Sequence, residues 1–526
     1  MCAMPEKSIQ STADVSTNIA TVTPNTDVES SSHTTGEEES NDVETKAFII
    51  FMTAFGSIFS PLSGQMYLPS LNTMAREYHV SIANINLSVT TYMILQGIAP
   101  MFFGDLADQA GRRPVYIMCF TIYVFANLGL ALQRDYAALL VLRALQSSGS
   151  SGTIALANGV VADITTSTER GSYVAWVQLG TQLGPALGPV IGGILSQFLG
   201  WPSIFWFLLI ASGIYLILYV GFVPETGRNI VGDGSIPPQG WNKSLTNFLE
   251  DRSREQKGTA EQVIAKTSRV KFPNPLNALR IIVEKDVCII LFVLSMYMAC
   301  FFCLMVPMPS LFAETYDFNT LQVGLCYIPF SVGAIVGSLT CGRLMDRNYR
   351  RVAQRAGFPI DRKRSTDLRR FPIERARLGL AWYPLFTGST AILVWGWVLR
   401  ARTSLAAPLV VLFVGGAGLS GAMSMITSLL VDLYPTSPAT ATAALNVCRC
   451  LLSAAATAVV EYIIKAWGLG WTYTFLGLVM FACAPPLLLV LKFGPTWREE
   501  RFLRIEGKER KRQEAKEQGA KDATKE

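Results

Sequence analysis

The sequence predicts an all-α integral membrane protein, and three observations carry that prediction. Of the 526 residues, 50% are hydrophobic and 16% charged, against roughly 25% charged in an ordinary soluble domain. Apolar runs of about 20 residues, the length needed to cross a ~30 Å hydrocarbon layer, recur along the chain. Lys and Arg are sorted by loop, crowding some connections and nearly missing from the rest.

In chain order the apolar runs cover 47–69, 82–103, 114–132, 137–162, 171–196 and 201–222, then 286–309, 319–342, 378–399, 406–431, 439–463 and 469–492, twelve spans in all. Most lack a polar face, so a water-soluble helical bundle does not fit. Gly and Pro inside the spans are tolerated, because neighbouring membrane helices re-satisfy the freed backbone groups. Residues 1–46, rich in Ser, Thr and acids, have little to bury and are expected to be a disordered cytoplasmic tail. No cleavable signal peptide is expected there, which leaves targeting to the first membrane helix. The polar interval 223–285, beginning "VPETGRNIVGDGSIPPQG", reads as a cytoplasmic linker between one six-span bundle (47–222) and a second (286–492). Residues 493–526 form a basic cytoplasmic tail.

The segments after spans two, six, eight and twelve hold nearly all the Lys and Arg, while the intervening odd-to-even loops carry only Arg76, Arg134, Arg400, Arg402 and Lys465. By the positive-inside rule, both termini and the even-to-odd connections are cytoplasmic. The net charge of +6 therefore belongs to loops facing membrane lipids rather than to a nucleic-acid surface. Nine of the ten cysteines fall in or beside apolar spans and read as small hydrophobes; Cys300 and Cys303 lack the second ligand pair of a metal site. With only His33 and His79 present, neither a histidine metal centre nor a catalytic triad is expected, no nucleophile and base constellation emerges, and no cofactor is implied.

The stretch "GDLADQAGRRP" stands between spans two and three. Gly104 and Gly111 permit a tight turn at a membrane surface, and Asp105 and Asp108 fall near helix ends and the basic pair Arg112 and Arg113. A weak echo follows span eight in "GRLMDRNYR", through Gly342, Asp346 and Arg347. Two related halves are the usual basis of alternating access. In span five, "GTQLGPALGPVIGG" spaces Gly184, Gly188 and Gly192 for close helix approach, with Gly193 beside them and Pro185 and Pro189 as kink points.

With these features assembled, the sequence resembles the major facilitator superfamily, and within it the fungal twelve-span drug:proton antiporter group that includes citrate and organic-acid exporters. "GDLADQAGRR" is similar to that family's loop motif, with Gln109 where a basic residue is common, and the span-five stretch is similar to its antiporter motif. "LRALQSSG" in span four is similar to its arginine motif, with Ser147 where many members carry Gly; "SPLSGQMYLPSLN", "PETGRNIVG", "FPIERARLG" and "LNVCRC" are shared with fungal relatives. The resemblance covers about 47 to 492. It implies the major facilitator fold, two pseudo-symmetric six-helix bundles, a gate latch at Gly104, Asp105, Asp108, Gly111, Arg112 and Arg113, and a bent contact between bundles at Gly184, Gly188, Pro189, Gly192 and Gly193.

Ionisable residues inside a membrane are costly and usually functional. Arg143 in span four and Arg449 in span eleven stand out, one in each half, and the resemblance implies that both border a central cavity. Gln146 and Asn446 lie three residues from them, on the same helix faces. Two guanidinium forks with amide neighbours suit carboxylates. Gln65, Tyr67, Tyr92, Gln96, Gln178 and Gln182 are further candidates to line the cavity, since amides and phenols orient a ligand without adding charge. Asp163, Asp432 and Glu461 lie near span ends and the span interiors hold no acid, which disfavours a cationic cargo.

The expected function is export of a small organic anion across the plasma membrane, with citrate ahead of itaconate and malate, either in exchange for protons or down the anion's electrochemical gradient. A multidrug or toxin exporter for hydrophobic drugs is the alternative, and a nutrient sensor a more distant one. A monomer suffices, because six plus six helices enclose a pathway.

Overall fold

Where no water can satisfy the backbone, a spanning chain must close its own hydrogen bonds, and helices do so within one segment. The structure, a computed structural model, describes residues 31–165, 170–231, 282–357, 371–434 and 438–523, all helix and connection among those residues. In the first half, α1 (Ser31–Met66) leads through a 3-10 turn (Leu68–Ser70) to α2 (Leu71–Glu77). There follow α3 (Ile82–Ala110), α4 (Arg112–Leu132), α5 (Tyr136–Ile164), α6 (Arg170–Leu199), α7 (Pro202–Phe222) and the single turn α8 (Arg228–Val231). The second half has α9 (Lys285–Met305), α10 (Met308–Tyr316), α11 (Thr320–Leu325), α12 (Tyr327–Arg355) and α13 (Ile373–Leu378). It closes with α14 (Trp382–Arg400), α15 (Ala406–Leu433), α16 (Pro438–Cys483) and α17 (Pro486–Ala523).

Eight stretches among the described residues are long and apolar enough to cross a membrane. One of them, Ala441–Arg504, is 64 residues long and far exceeds a single crossing. Gly468, at φ 76°, breaks the helical dihedrals inside it, between the two expected spans. Local signals set several starts. Ser81 accepts from the Asn84 N–H, Asp135 from the Ala138 N–H, and Asn319 forms a reciprocal capping box with Gln322.

Three expectations need revision. The 104–113 stretch is no open loop: α3 runs to Ala110 and α4 restarts at Arg112, so the whole turn is Gly111 at φ 109°. A side chain is strained in that conformation, and a Cβ there would also collide with the Glu225 carboxylate. Residues 31–46, expected to be disordered, fall within the bounds of α1 (Ser31–Met66). Span eight does not stop at 342 but continues as helix to Arg355, and α17 continues through the basic tail to Ala523. Most of the expected linker, 232–281, lies outside the described residues.

The two halves join from mid-helix to the end that carries residues 68–80. There the Thr90 and Thr457 hydroxyls lie 3.2 Å apart, Ser310 donates to Asn72 at 2.6 Å, and the Thr320 N–H reaches Gln197 at 3.2 Å. A continuous buried apolar cluster runs across this end, from Tyr67, Leu71 and Met74 to Leu294, Tyr327 and Tyr473. Nearer the arginine-rich end, Gly104 and Gly342 have open space where a Cβ would project. A second core of aromatic rings, Phe59, Phe120, Tyr123 and Tyr215, fills the first half, with the Phe120 and Tyr215 centroids 4.4 Å apart.

Candidate transport site and gate

Arg143 sits on the buried face of α5 and is 0% exposed. Its guanidinium lies over the Tyr67 ring at 4.2 Å and the Tyr92 ring at 4.4 Å, contacts that strengthen when water is excluded. Nη1 donates to the Gln146 side-chain oxygen at 2.6 Å and more weakly to the Ser63 carbonyl at 3.4 Å. Gln146 then donates to Asn127 at 2.7 Å, and Asn127 to the Tyr123 carbonyl. The chain of partners is neutral throughout. Among the described residues, Nε and Nη2 of Arg143 have no acceptor. Burying a charge costs several kcal/mol unless it is paired and hydrogen-bonded, and here only two rings, an amide and a backbone carbonyl offset that cost.

The tyrosine hydroxyls have partners already. Tyr67 meets Ser88 at 2.6 Å, while Tyr92 donates to the Ser60 carbonyl at 2.8 Å and lies 2.9 Å from Ser63 and 3.3 Å from Ser150. Their rings, rather than the phenol groups expected to orient a ligand, face the arginine. The expectation that Arg143 stands open to a cavity is not met in this conformation, because α1, α3 and α5 close around it.

Arg449, on α16, is only partly buried. Its Nε and Nη2 donate to the Asn446 side-chain oxygen at 3.1 and 2.8 Å. Asn446 in turn donates to the Gln96 backbone carbonyl at 2.7 Å. Tyr92 and Gln96 are one turn apart on α3, so a single helix touches both arginine assemblies. What the structure brings together at Gln96 is its backbone, not the amide side chain expected to line a cavity. Gln65 and Gln182 meet elsewhere, in a crevice of about 40 Å³ with Phe301, Met305, Phe330 and Ser331. That is room for a few waters, far below the ~300 Å³ of a small-molecule site. The side chain of Gln178 lies outside the described residues.

At the arginine-rich end the motif residues form a compact ion network. Arg112 pairs with Asp108 at 2.6 Å and with Asp163 at 2.8 Å; Gln109 donates to Asp105 at 3.2 Å. Arg113 donates instead to the Val223 and Val220 carbonyls that end α7. The organising residue is Glu225, whose role "PETGRNIVG" did not disclose. Its carboxylate accepts from the backbone N–H groups of Arg112, Arg113, Thr226 and Gly227 at 2.8 to 3.1 Å, capping the positive N-terminus of α4. Burial pushes its carboxyl above the usual carboxylate range, against the pull of those four N–H groups. The second half repeats the Arg112–Asp163 pair as Arg377–Asp432 at 2.6 Å. It buries Glu374 near Arg498 at 3.5 Å, and there too burial raises the carboxyl first and the guanidinium lowers it.

The span-five stripe splits between two partners. A Cβ at Gly184 would stand 2.7 Å from the Leu62 nitrogen, one at Gly188 3.0 Å from the Gln65 Cβ, and one at Gly192 would overlap the Met66 carbonyl. These three pack against α1 within the first half. Gly193 and Pro189 instead reach the other half, where a Cβ at Gly193 would be 3.0 Å from the Thr320 carbonyl and one at Gly324 would crowd the Pro189 carbonyl.

An all-helical chain of related halves, with a charged turn latching one half and a small-residue contact between the halves, is the architecture of an alternating-access transporter. The family model for the Major Facilitator Superfamily matches residues 53–457. The chain belongs to that superfamily. It is 44% identical over 461 residues to the MFS-type transporter phiD of Fungal sp., covering 88% of this chain and 70% of that one. It is 35% identical over 471 residues to Citrate exporter 1 of Aspergillus niger, covering 88% of each. Among solved structures, the human organic anion transporter MFSD10 superposes with TM-score 0.53 at 18% identity, over 84% of this chain and 99% of that one, a likeness of fold. The protein is thus a multi-pass membrane transporter and not an enzyme.

Proposed function

We infer that the protein exports a small organic anion, citrate first among the candidates, across the plasma membrane by alternating access of two six-helix halves. The observation that carries this reading is Arg143, a fully buried cation with neutral partners and two donors without acceptors. A carboxylate would supply both the missing charge and the missing acceptors, and a bidentate fork is the geometry guanidinium offers it. Arg449, held by an amide and partly open, supplies a second positive group from the other half. The similarity to a citrate exporter supports the same choice.

With both termini cytoplasmic, the joined end faces outside and the arginine-rich end faces the cytoplasm, the arrangement in which an exporter collects cargo. Twelve spans follow when α5, α6 and α14 are added to the eight apolar stretches and Gly468 is counted as a turn between two crossings. Protons are a coupling partner in the antiport form of this reading, and a monomer provides the whole pathway. The apolar wall of the crevice at Phe301, Met305 and Phe330 favours a second reading, a multidrug or toxin antiporter with loose hydrophobic contacts.

Expression in a yeast that makes organic acids, with extracellular acids measured beside a drug-resistance panel, separates the two. Citrate that rises only with the intact protein supports anion export. Resistance to unrelated drugs with unchanged acids supports the second reading and overturns the first.

A further inference from the structure

The helix α12 has two faces whose character changes abruptly near residue 342. On one face, Val332, Val336 and Leu339 are exposed at 45%, 44% and 58%. In a membrane protein such a face meets acyl chains. At 100° per residue the same arc continues into Arg343, Arg347 and Arg350, with Arg351 at its edge, all exposed. None of these four arginines has an acidic partner among the described residues.

The opposite face of this extension is held firmly. Met345, Tyr349 and Val352 pack on the apolar core and Ala353 is buried. Asn348 donates to the Arg375 and Ala376 carbonyls of α13 at 3.1 and 2.8 Å. The Tyr349 and Phe371 rings lie 4.9 Å apart, and the Arg377 guanidinium covers the Tyr349 ring at 5.2 Å. The arginine face is therefore fixed in direction, not free to roll toward the protein.

We propose that Arg343, Arg347 and Arg350 form a binding site for an anionic phospholipid of the cytoplasmic leaflet. Its acyl chain would lie along Val332, Val336 and Leu339, and its phosphate would sit among the guanidinium groups. Continuity of the apolar and cationic arcs selects a lipid over a free phosphate, since only a lipid uses both. The seven residue steps from Arg343 to Arg350 rise about 10 Å along the helix, and long arginine side chains fold back toward the interface, so all three reach a headgroup layer roughly 5–8 Å thick. Guanidinium forks match phosphate oxygens in pairs. The site is separate from the cargo arginines on α5 and α16 and does not depend on which substrate is exported.

The test uses the full-length protein in nanodiscs of phosphatidylcholine alone or with added phosphatidylserine, read by thermal unfolding. Phosphatidylserine is expected to raise the wild-type Tm by several degrees. R343Q/R347Q/R350Q should lose most of that rise, while R510Q/K511Q, which removes two exposed charges from the tail of α17, should keep it. Soluble glycerophosphoserine should give no rise. Equal losses in both variants would reduce the effect to general surface charge and overturn the proposal. So would a rise that survives in the triple variant, or one reproduced by glycerophosphoserine. If the triple variant does not fold, the wild-type comparison of phosphatidylserine with glycerophosphoserine still decides: no response to the lipid, or an equal response to both, refutes the site.

Discussion

Arg143, in the fourth span of the first half, and Arg449, in the fifth span of the second, are held differently: one is fully buried and the other is partly open. Arg143 is enclosed by two aromatic rings, an amide and a backbone carbonyl, whereas Arg449 leans on a single asparagine and keeps part of its surface open. Among the described residues, neither is neutralised by an acid. The difference suggests a division of labour: the first half presents a preorganised charge whose orientation is set in advance, and the second half contributes an adjustable one. On the proposed reading of anion export, a site built so holds a carboxylate on one side while the other half rocks.

The largest effect should come from the locked side. Arg143→Leu is expected to lower citrate export at least tenfold per molecule at the surface, since charge-assisted contacts are worth about 1.5–3 kcal/mol and 1.4 kcal/mol is a factor of ten. Arg143→Lys should fall nearly as far, because an ammonium cannot lie flat on Tyr67 and Tyr92 while reaching Gln146. Gly188→Leu attacks the same cage from behind. It drives α6 from the backbone at Gln65 and Met66, next to Tyr67, and overpacking of this kind costs about 1–3 kcal/mol. Transport should drop and Tm should fall in protein that still reaches the membrane; unchanged export by correctly targeted protein would detach the stripe from the mechanism.

On the adjustable side, Arg449→Ala should reduce anion export about tenfold at unchanged surface abundance. Arg449→Lys should keep a substantial part of it, and that contrast with Arg143→Lys is the sharpest check on the comparison. If lysine is tolerated equally at both positions, the distinction between locked and adjustable charge is wrong. Asn446→Ala should have the smallest effect. Loss of one neutral tether costs about 1 kcal/mol, roughly fivefold in apparent affinity, visible in KM for citrate efflux rather than in maximal rate.

Much of this was legible in the sequence because membrane chemistry leaves coarse marks. Apolar length gave the helices, and a charge inside an apolar span singled out Arg143 and Arg449, with Gln146 and Asn446 found by their three-residue spacing. Other features depend on contacts between distant segments, which leave no local trace. Asn127 could have been noticed as a polar residue in the apolar stretch "FANLG", but its partner Gln146 is on another helix. Glu225 was hidden because its contacts are to backbone N–H groups 112 and 113 positions away. The Arg377–Asp432 copy of the Arg112–Asp163 pair escaped notice since the second half separates its motif across the segment between Arg355 and Ile373. Tyr67 and Tyr92 were candidates for their hydroxyls, whereas serines on adjacent helices meet those and the rings lie over the arginine.

The most direct measurement is citrate-dependent stabilisation of purified full-length protein, wild type beside Arg143→Leu and Arg449→Ala. The wild type should show a saturable rise in Tm with citrate and none with an uncharged drug, and each substitution should abolish or strongly weaken it. A citrate response that persists undiminished in both variants, or a wild type stabilised by the drug and indifferent to citrate, would contradict the account.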